Sequence, residues 1–184
     1  FYVDIFVNKK PPIFFELKYT TRIYALSKLD DGEFFRRLQT HGILVKLPKI
    51  GLEIPVKNHG AQDMRRYDFC KDIERLELLT KISGGKGFAI FLTNDENYWK
   101  RPKGNTIDKD FRIYEGRKLS GILKWDERAG KNTIKGREAP IRLRGRYELE
   151  WEDYFTPRND LPLSFRENFK KFLRRMRMLI VEVT

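Results

Sequence analysis

The 184-residue chain predicts an α/β fold: a central mixed β-sheet flanked by helices, with additional β-strands in the C-terminal half. Three observations carry that expectation. The first is an apolar hairpin pattern at the start of the chain. The second is a long helical period in the middle, followed at once by a continuous apolar run of strand length. The third is a set of alternating segments after residue 100.

The hairpin comes from Tyr2 to Val7 and Ile13 to Tyr19, both rich in β-branched and aromatic residues, around the turn signals Asn8, Lys9, Lys10, Pro11 and Pro12. Between Arg22 and Lys57 the turn signals Asp30, Asp31 and Gly32 separate short apolar pieces, so loops and one or two short strands are expected at Gly42 to Leu47 and Leu52 to Val56. From Ala61 to Ile82 the apolar residues Ala61, Met64, Cys70, Ile73, Leu76, Leu79 and Ile82 fall mostly three apart, the period of one helix face. Asn58 or His59 precedes that helix, and Ser83, Gly84 and Gly85 end it with the residues a left-handed cap requires. SGGKG runs from helix to strand, the reverse of a phosphate loop, and reads as this cap and a tight turn.

Gly87 to Asp95 then gives an apolar run suited to a central strand covered on both faces. The order hairpin, helix, strand returns the chain for a parallel pairing across the sheet. Later strands are expected at Phe111 to Tyr114, Lys118 to Trp125, Ile141 to Trp151 and the closing MLIVEV, with a basic helix from Ser164 to about Arg175. The expected organisation is one domain over residues 1–184, with a core over 1–95 and a β-rich basic extension over 96–184 packed on it.

Composition limits the chemistry. With 40% hydrophobic and 35% charged residues the chain can both build a core and stay soluble. No apolar run approaches the roughly 18 residues of a membrane span, so no membrane partner and a cytoplasmic setting are expected. Cys70 is the single cysteine and His41 and His59 the only histidines, which excludes an internal disulfide and an ordinary zinc site, leaving oxygen as the donor for any metal. The net charge of +12 points to a polyanion, with a merely solubilising surface as the bland alternative. Arg142, Arg144 and Arg146 alternate with apolar residues along one strand, and Lys170 and Arg174 sit on the late basic helix; all five are expected at phosphates, against a solvated strand face as the alternative.

The chemical question sits in VDIFVNKKPPIFFELKY. With the turn centred on Lys10, Asp4 pairs with Glu16, and Asp4, Phe6, Phe14, Glu16 and Lys18 share one face. Two carboxylates about 5 Å apart repel by roughly 3 kcal/mol at an effective dielectric near 20, and by less than about 1 kcal/mol in open water. A divalent cation removes that repulsion, and Mg²⁺ favours such oxygen donors. The alternative is a simple ion pair of Lys18 with Glu16 or Asp4 on a solvated sheet edge.

An Asp on one strand followed by Glu16-Leu17-Lys18 on the next resembles the PD-(D/E)XK nuclease superfamily, whose restriction-endonuclease-like core runs helix, three-strand meander, helix, strand. Glu16 to Lys18 is the one acid-x-Lys triplet in the chain, and the resemblance covers roughly residues 1–95. Val3 stands where that family has its proline, and the helix preceding the meander is expected to lie in sequence ahead of Phe1. The resemblance implies a Mg²⁺- or Mn²⁺-dependent nuclease acting on DNA. Asp4, Glu16 and the carbonyl of Leu17 would be metal ligands, and Lys18 would orient the attacking water. Some members carry a Gln and a Tyr four apart on the following helix; here Gln62 and Tyr67 are five apart, and Gln62 is a further candidate beside the metal, with Arg66 a candidate phosphate contact. A homodimer is compatible with this reading. The competing class is a catalytically inactive nucleic-acid-binding module with the same fold.

Overall fold

The computed structural model describes residues 2–5, 11–22, 43–47, 52–56, 60–155 and 175–184. Its main sheet has five strands in the order β1-β2-β5-β9-β8, from β1 (Tyr2–Ile5), β2 (Ile13–Thr20), β5 (Lys86–Thr93), β8 (Trp151–Phe155) and β9 (Met176–Val183). β2 and β5 run parallel, and the other neighbours are antiparallel, so the sheet is mixed. Two further antiparallel pairs are β3 (Ile43–Leu47) with β4 (Leu52–Val56), and β6 (Lys118–Leu123) with β7 (Ile141–Glu148). The C-terminal half therefore supplies two strands to the main sheet as well as a small sheet of its own.

The helix α1 (Gln62–Ser83) ends where its glycines predict. Gly84 takes φ 66°, open to glycine without a Cβ clash, and its N–H donates to the Thr80 carbonyl at 2.8 Å. At the other end Ala61 caps the helix in the left-handed region without a side-chain hydrogen bond. α1 is the crossover that makes β2 and β5 parallel. It lies close on β5: a Cβ on Gly87 would sit 3.1 Å from Leu76, and Phe69 meets Phe91 edge-on at 5.3 Å.

Burial alternates along β5. Gly87, Ala89, Phe91 and Thr93 are buried, while Phe88, Ile90 and Leu92 are only partly covered. The expectation of a strand fully covered on both faces is thus met on one face. On the other, Phe15 stacks on Phe88 at 5.5 Å, and Leu17 and Ile180 are each 45% exposed. One buried cluster joins the two halves of the chain, from Phe69, Ile73 and Leu76 through Phe91 to Phe111, Leu119, Ile141 and Trp151.

Two strand expectations change. Phe111 to Tyr114 follows a 3-10 turn (Lys109–Phe111) and forms no ladder, although Phe111 and Ile113 are both buried. Ile141 to Trp151 divides into β7 and β8, which belong to different sheets. The expected helix from Ser164 lies outside the described residues apart from Arg175, which is not helical. No helix among the described residues is long and apolar enough to cross a membrane.

Candidate functional site

Alternation along β2 turns Phe14, Glu16, Lys18 and Thr20 toward α1, the face predicted for the two charges. Because α1 runs antiparallel to β2, residues three apart on the helix meet residues two apart on the strand in reverse order. Lys18 Nζ lies 2.7 Å from Asp72 Oδ2, and Arg75 Nε lies 2.7 Å from Glu16 Oε1. Arg75 also pairs with Asp72, so one half-exposed guanidinium spans two buried carboxylates. Burial pushes the Asp72 carboxyl above the ordinary value; the Glu16 charge adds to that rise, and Lys18 and Arg75 oppose it. Lys18 is ion-paired, as the alternative reading expected, and its partner among the described side chains is Asp72 of α1.

The hairpin register corrects a second expectation. Asp4 stands opposite Phe14, and Tyr2 opposite Glu16, so the pairing centres on Lys9 rather than Lys10. A shift of two residues keeps the face but moves Asp4 from a direct to a diagonal position relative to Glu16. Neither Pro11 nor Pro12 has an N–H to give a ladder, and the Pro12 carbonyl accepts from the Lys86 N–H of β5 at 3.0 Å.

Gln62 and Arg66 do not join this cluster. Gln62 is ten residues before Asp72, roughly 15 Å along the helix axis, and its amide donates to Asp95 beyond the end of β5. Arg66, read from the sequence as a phosphate contact, is 2% exposed. Its guanidinium donates to Asp108 at 2.8 Å and to the Asn97 carbonyl at 2.9 Å, and lies 4.8 Å from the Tyr98 ring centre. With its charge met inside the protein, Arg66 is a buried structural arginine. Leu17 points away from α1, on the partly covered face.

Arg142, Arg144 and Arg146 are exposed, as the alternation of β7 predicts. Their strand is fastened by α1: Glu74 accepts from the Arg142 N–H at 2.7 Å, and Glu77 accepts from the N–H groups of Arg144 and Gly145 and from the Tyr147 hydroxyl at 2.7 Å. Lys170 and Arg174 lie outside the described residues.

Sequence reasoning missed Asp72, Arg75, Glu74 and Glu77. Their signal was the run KDIERLE, in which Asp72, Glu74 and Glu77 adjoin the apolar Ile73 and Leu76 and are carried wholly or partly into packed faces, with Arg75 at the margin. As a donor set, Glu16 and Asp72 offer the carboxylate oxygens that Mg²⁺ takes beside waters and phosphates. Among the described residues no three His, Cys, Asp or Glu converge in a metal-binding group. Comparison with known proteins gives no matching family model, no matching curated protein and no matching solved structure.

Proposed function

We propose that this α/β chain is a Mg²⁺- or Mn²⁺-dependent nuclease that hydrolyses DNA phosphodiester bonds, with a restriction-endonuclease-like core. The observation that supports it most is the placement of buried Glu16 and partly buried Lys18 on one strand face, beside a second carboxylate, Asp72. Glu16, with Asp4 at the diagonal register position, would hold the ion, and the Leu17 carbonyl lies between Glu16 and Lys18 in sequence. When bound, the ion supplies positive charge against the scissile phosphate and polarises water. Lys18 orients the attacking water, and Asp72 holds the Lys18 ammonium in place. Arg75 is half exposed and long enough to swing off Glu16, which frees that carboxylate for the cation.

The second reading, an inactive nucleic-acid-binding module, is favoured by the same ion pairs, since Arg75 and Lys18 already neutralise Glu16 and Asp72 without a metal. Purified protein incubated with DNA and Mg²⁺ or Mn²⁺, beside Glu16→Ala and Lys18→Ala, separates the two. Cleavage by the wild type is expected to fall by about 100-fold or more in each variant. Cleavage that survives both substitutions would overturn the site, and DNA binding with no cleavage by any form would favour the module.

A further inference from the structure

A second charged feature lies away from Glu16 and Lys18. The segment after β5 folds back toward the start of β6 and lines a half-open pocket of about 270 Å³. Its wall carries Arg101, Lys103, Lys109, Arg112 and Arg117, with Tyr114, and no carboxylate. Two of the cations are balanced from outside the wall: Arg112 by Asp108 at 3.1 Å and Lys109 by Asp126 at 3.4 Å. Arg117 donates to the carbonyls of Lys109 at 2.6 Å and Asp110 at 2.9 Å, which fix the guanidinium but bring no negative charge. Among the described residues Arg101, Lys103 and Arg117 have no carboxylate partner.

These charges are gathered, not splayed. The guanidinium carbons of Arg101 and Arg117 lie 5.6 and 5.5 Å from the centre of the same Tyr114 ring, so a single aromatic side chain holds two like charges beside it. Such a concentration favours an anion with several oxygens, and guanidinium forks match phosphate. The volume lies just below that of ordinary small-molecule pockets, which suits a group and not a whole nucleotide. The pocket shares Thr106 and Arg112 with an open cleft at the start of α1, lined also by Gln62 and Asp63.

We propose that this pocket binds a phosphate group, belonging to a nucleic-acid strand or to a free phosphate compound. The proposal does not depend on catalysis by Glu16 and Lys18, and its test is run in EDTA so that cleavage plays no part. Binding of the full chain is measured to three probes: inorganic phosphate, a single-stranded oligonucleotide, and the same oligonucleotide with a 5′-phosphate. The Arg101→Ala/Lys103→Ala variant changes two exposed residues, and an unchanged melting temperature verifies its fold. It is expected to bind at least one probe about tenfold more weakly. If the oligonucleotides are the probes affected, the slope of log affinity against log salt should also fall by roughly 0.7 for each phosphate that is no longer neutralised. The charge-keeping Arg101→Lys/Lys103→Arg variant should recover most of the binding. Loss confined to the oligonucleotides makes a strand the source of the phosphate; loss for inorganic phosphate alone makes it a free compound. No binding of any probe by wild type, or binding of all three by the alanine variant as tight as wild type's, overturns the proposal.

Discussion

Asp108 shows how much a single buried charge carries here. It is 1% exposed and accepts from Arg66 at 2.8 Å, from the Thr106 hydroxyl at 2.5 Å and from Arg112 at 3.1 Å. Burial alone would raise its pKa, but the Thr106 hydrogen bond and the charges of Arg66 and Arg112 outweigh it and hold the carboxyl below its usual value of 3.8. The sign follows from proton counting. Below its usual value the unfolded chain binds the proton more readily than the native one, so Asp108 stabilises the fold fully above about pH 5 and loses that contribution as pH falls through its depressed native pKa. Asp108→Asn leaves Arg66 buried without its counter-charge and is expected to cost about 3–5 kcal/mol at neutral pH. Urea unfolding of both forms at pH 7, 4 and 3 checks this: the gap should hold down to about pH 5 and narrow below 4, and a gap independent of pH would contradict the assignment. The same residue explains a misreading. Arg66 sits near Gln62 on a helix of a basic chain, so sequence suggests phosphate, but its partner is 42 residues away and burial of an arginine is a tertiary event. Glu16 and Lys18 were legible as sharing a face because alternation is local; Asp72 and Arg75 were not legible as their partners because only packing of α1 on β2 brings them together.

At the level of elements, α1 works as a two-sided fastener. One side meets β2 and β5, and Glu74 and Glu77 on another take backbone N–H groups of β7. The Glu77 carboxylate receives three donors from Arg144, Gly145 and Tyr147, and burial followed by this contact raises the Tyr147 phenol pKa. Glu77→Ala strands those donors and is expected to cost about 3 kcal/mol, with Glu77→Gln milder because an acceptor oxygen stays. Amide hydrogen exchange at Arg144 and Gly145 reads the effect locally. Unchanged protection at both amides in the alanine variant would show that β7 does not depend on Glu77. The limits of α1 and the parallel pairing of β2 with β5 were readable, since apolar period, glycine cap and the order hairpin, helix, strand are written in the chain itself. The hairpin register was not, because alternation fixes only which face a residue takes, and a shift of two residues leaves every face unchanged. Phe111 to Tyr114 teaches a related point: alternation there reports burial of Phe111 and Ile113, while the Ile113 carbonyl goes to the Trp151 indole N–H at 2.7 Å and not to a neighbouring strand.

For the whole molecule the decisive quantity is where the net charge of +12 is displayed. Arg142, Arg144 and Arg146 stand exposed on β7, whose backbone at Arg142, Arg144 and Gly145 is held by the helix acids Glu74 and Glu77, so the stripe is anchored while its side chains remain exposed. If the proposed DNA partner docks there, the arginines meet phosphates and each such pairing releases counterions. Replacing all three by alanine removes no core side chain, so the melting temperature should change little, yet duplex affinity should fall. The slope of log affinity against log salt should drop by roughly 0.9 for each phosphate left without its arginine, up to about 2.7 for the set. Because phosphates carry no base information, the weakening should be equal for duplexes of unrelated sequence. Binding titrations of two such duplexes at several salt concentrations decide the matter. A slope equal to wild type would move the DNA path off β7, and a weakening restricted to one duplex would make the stripe a reader of bases.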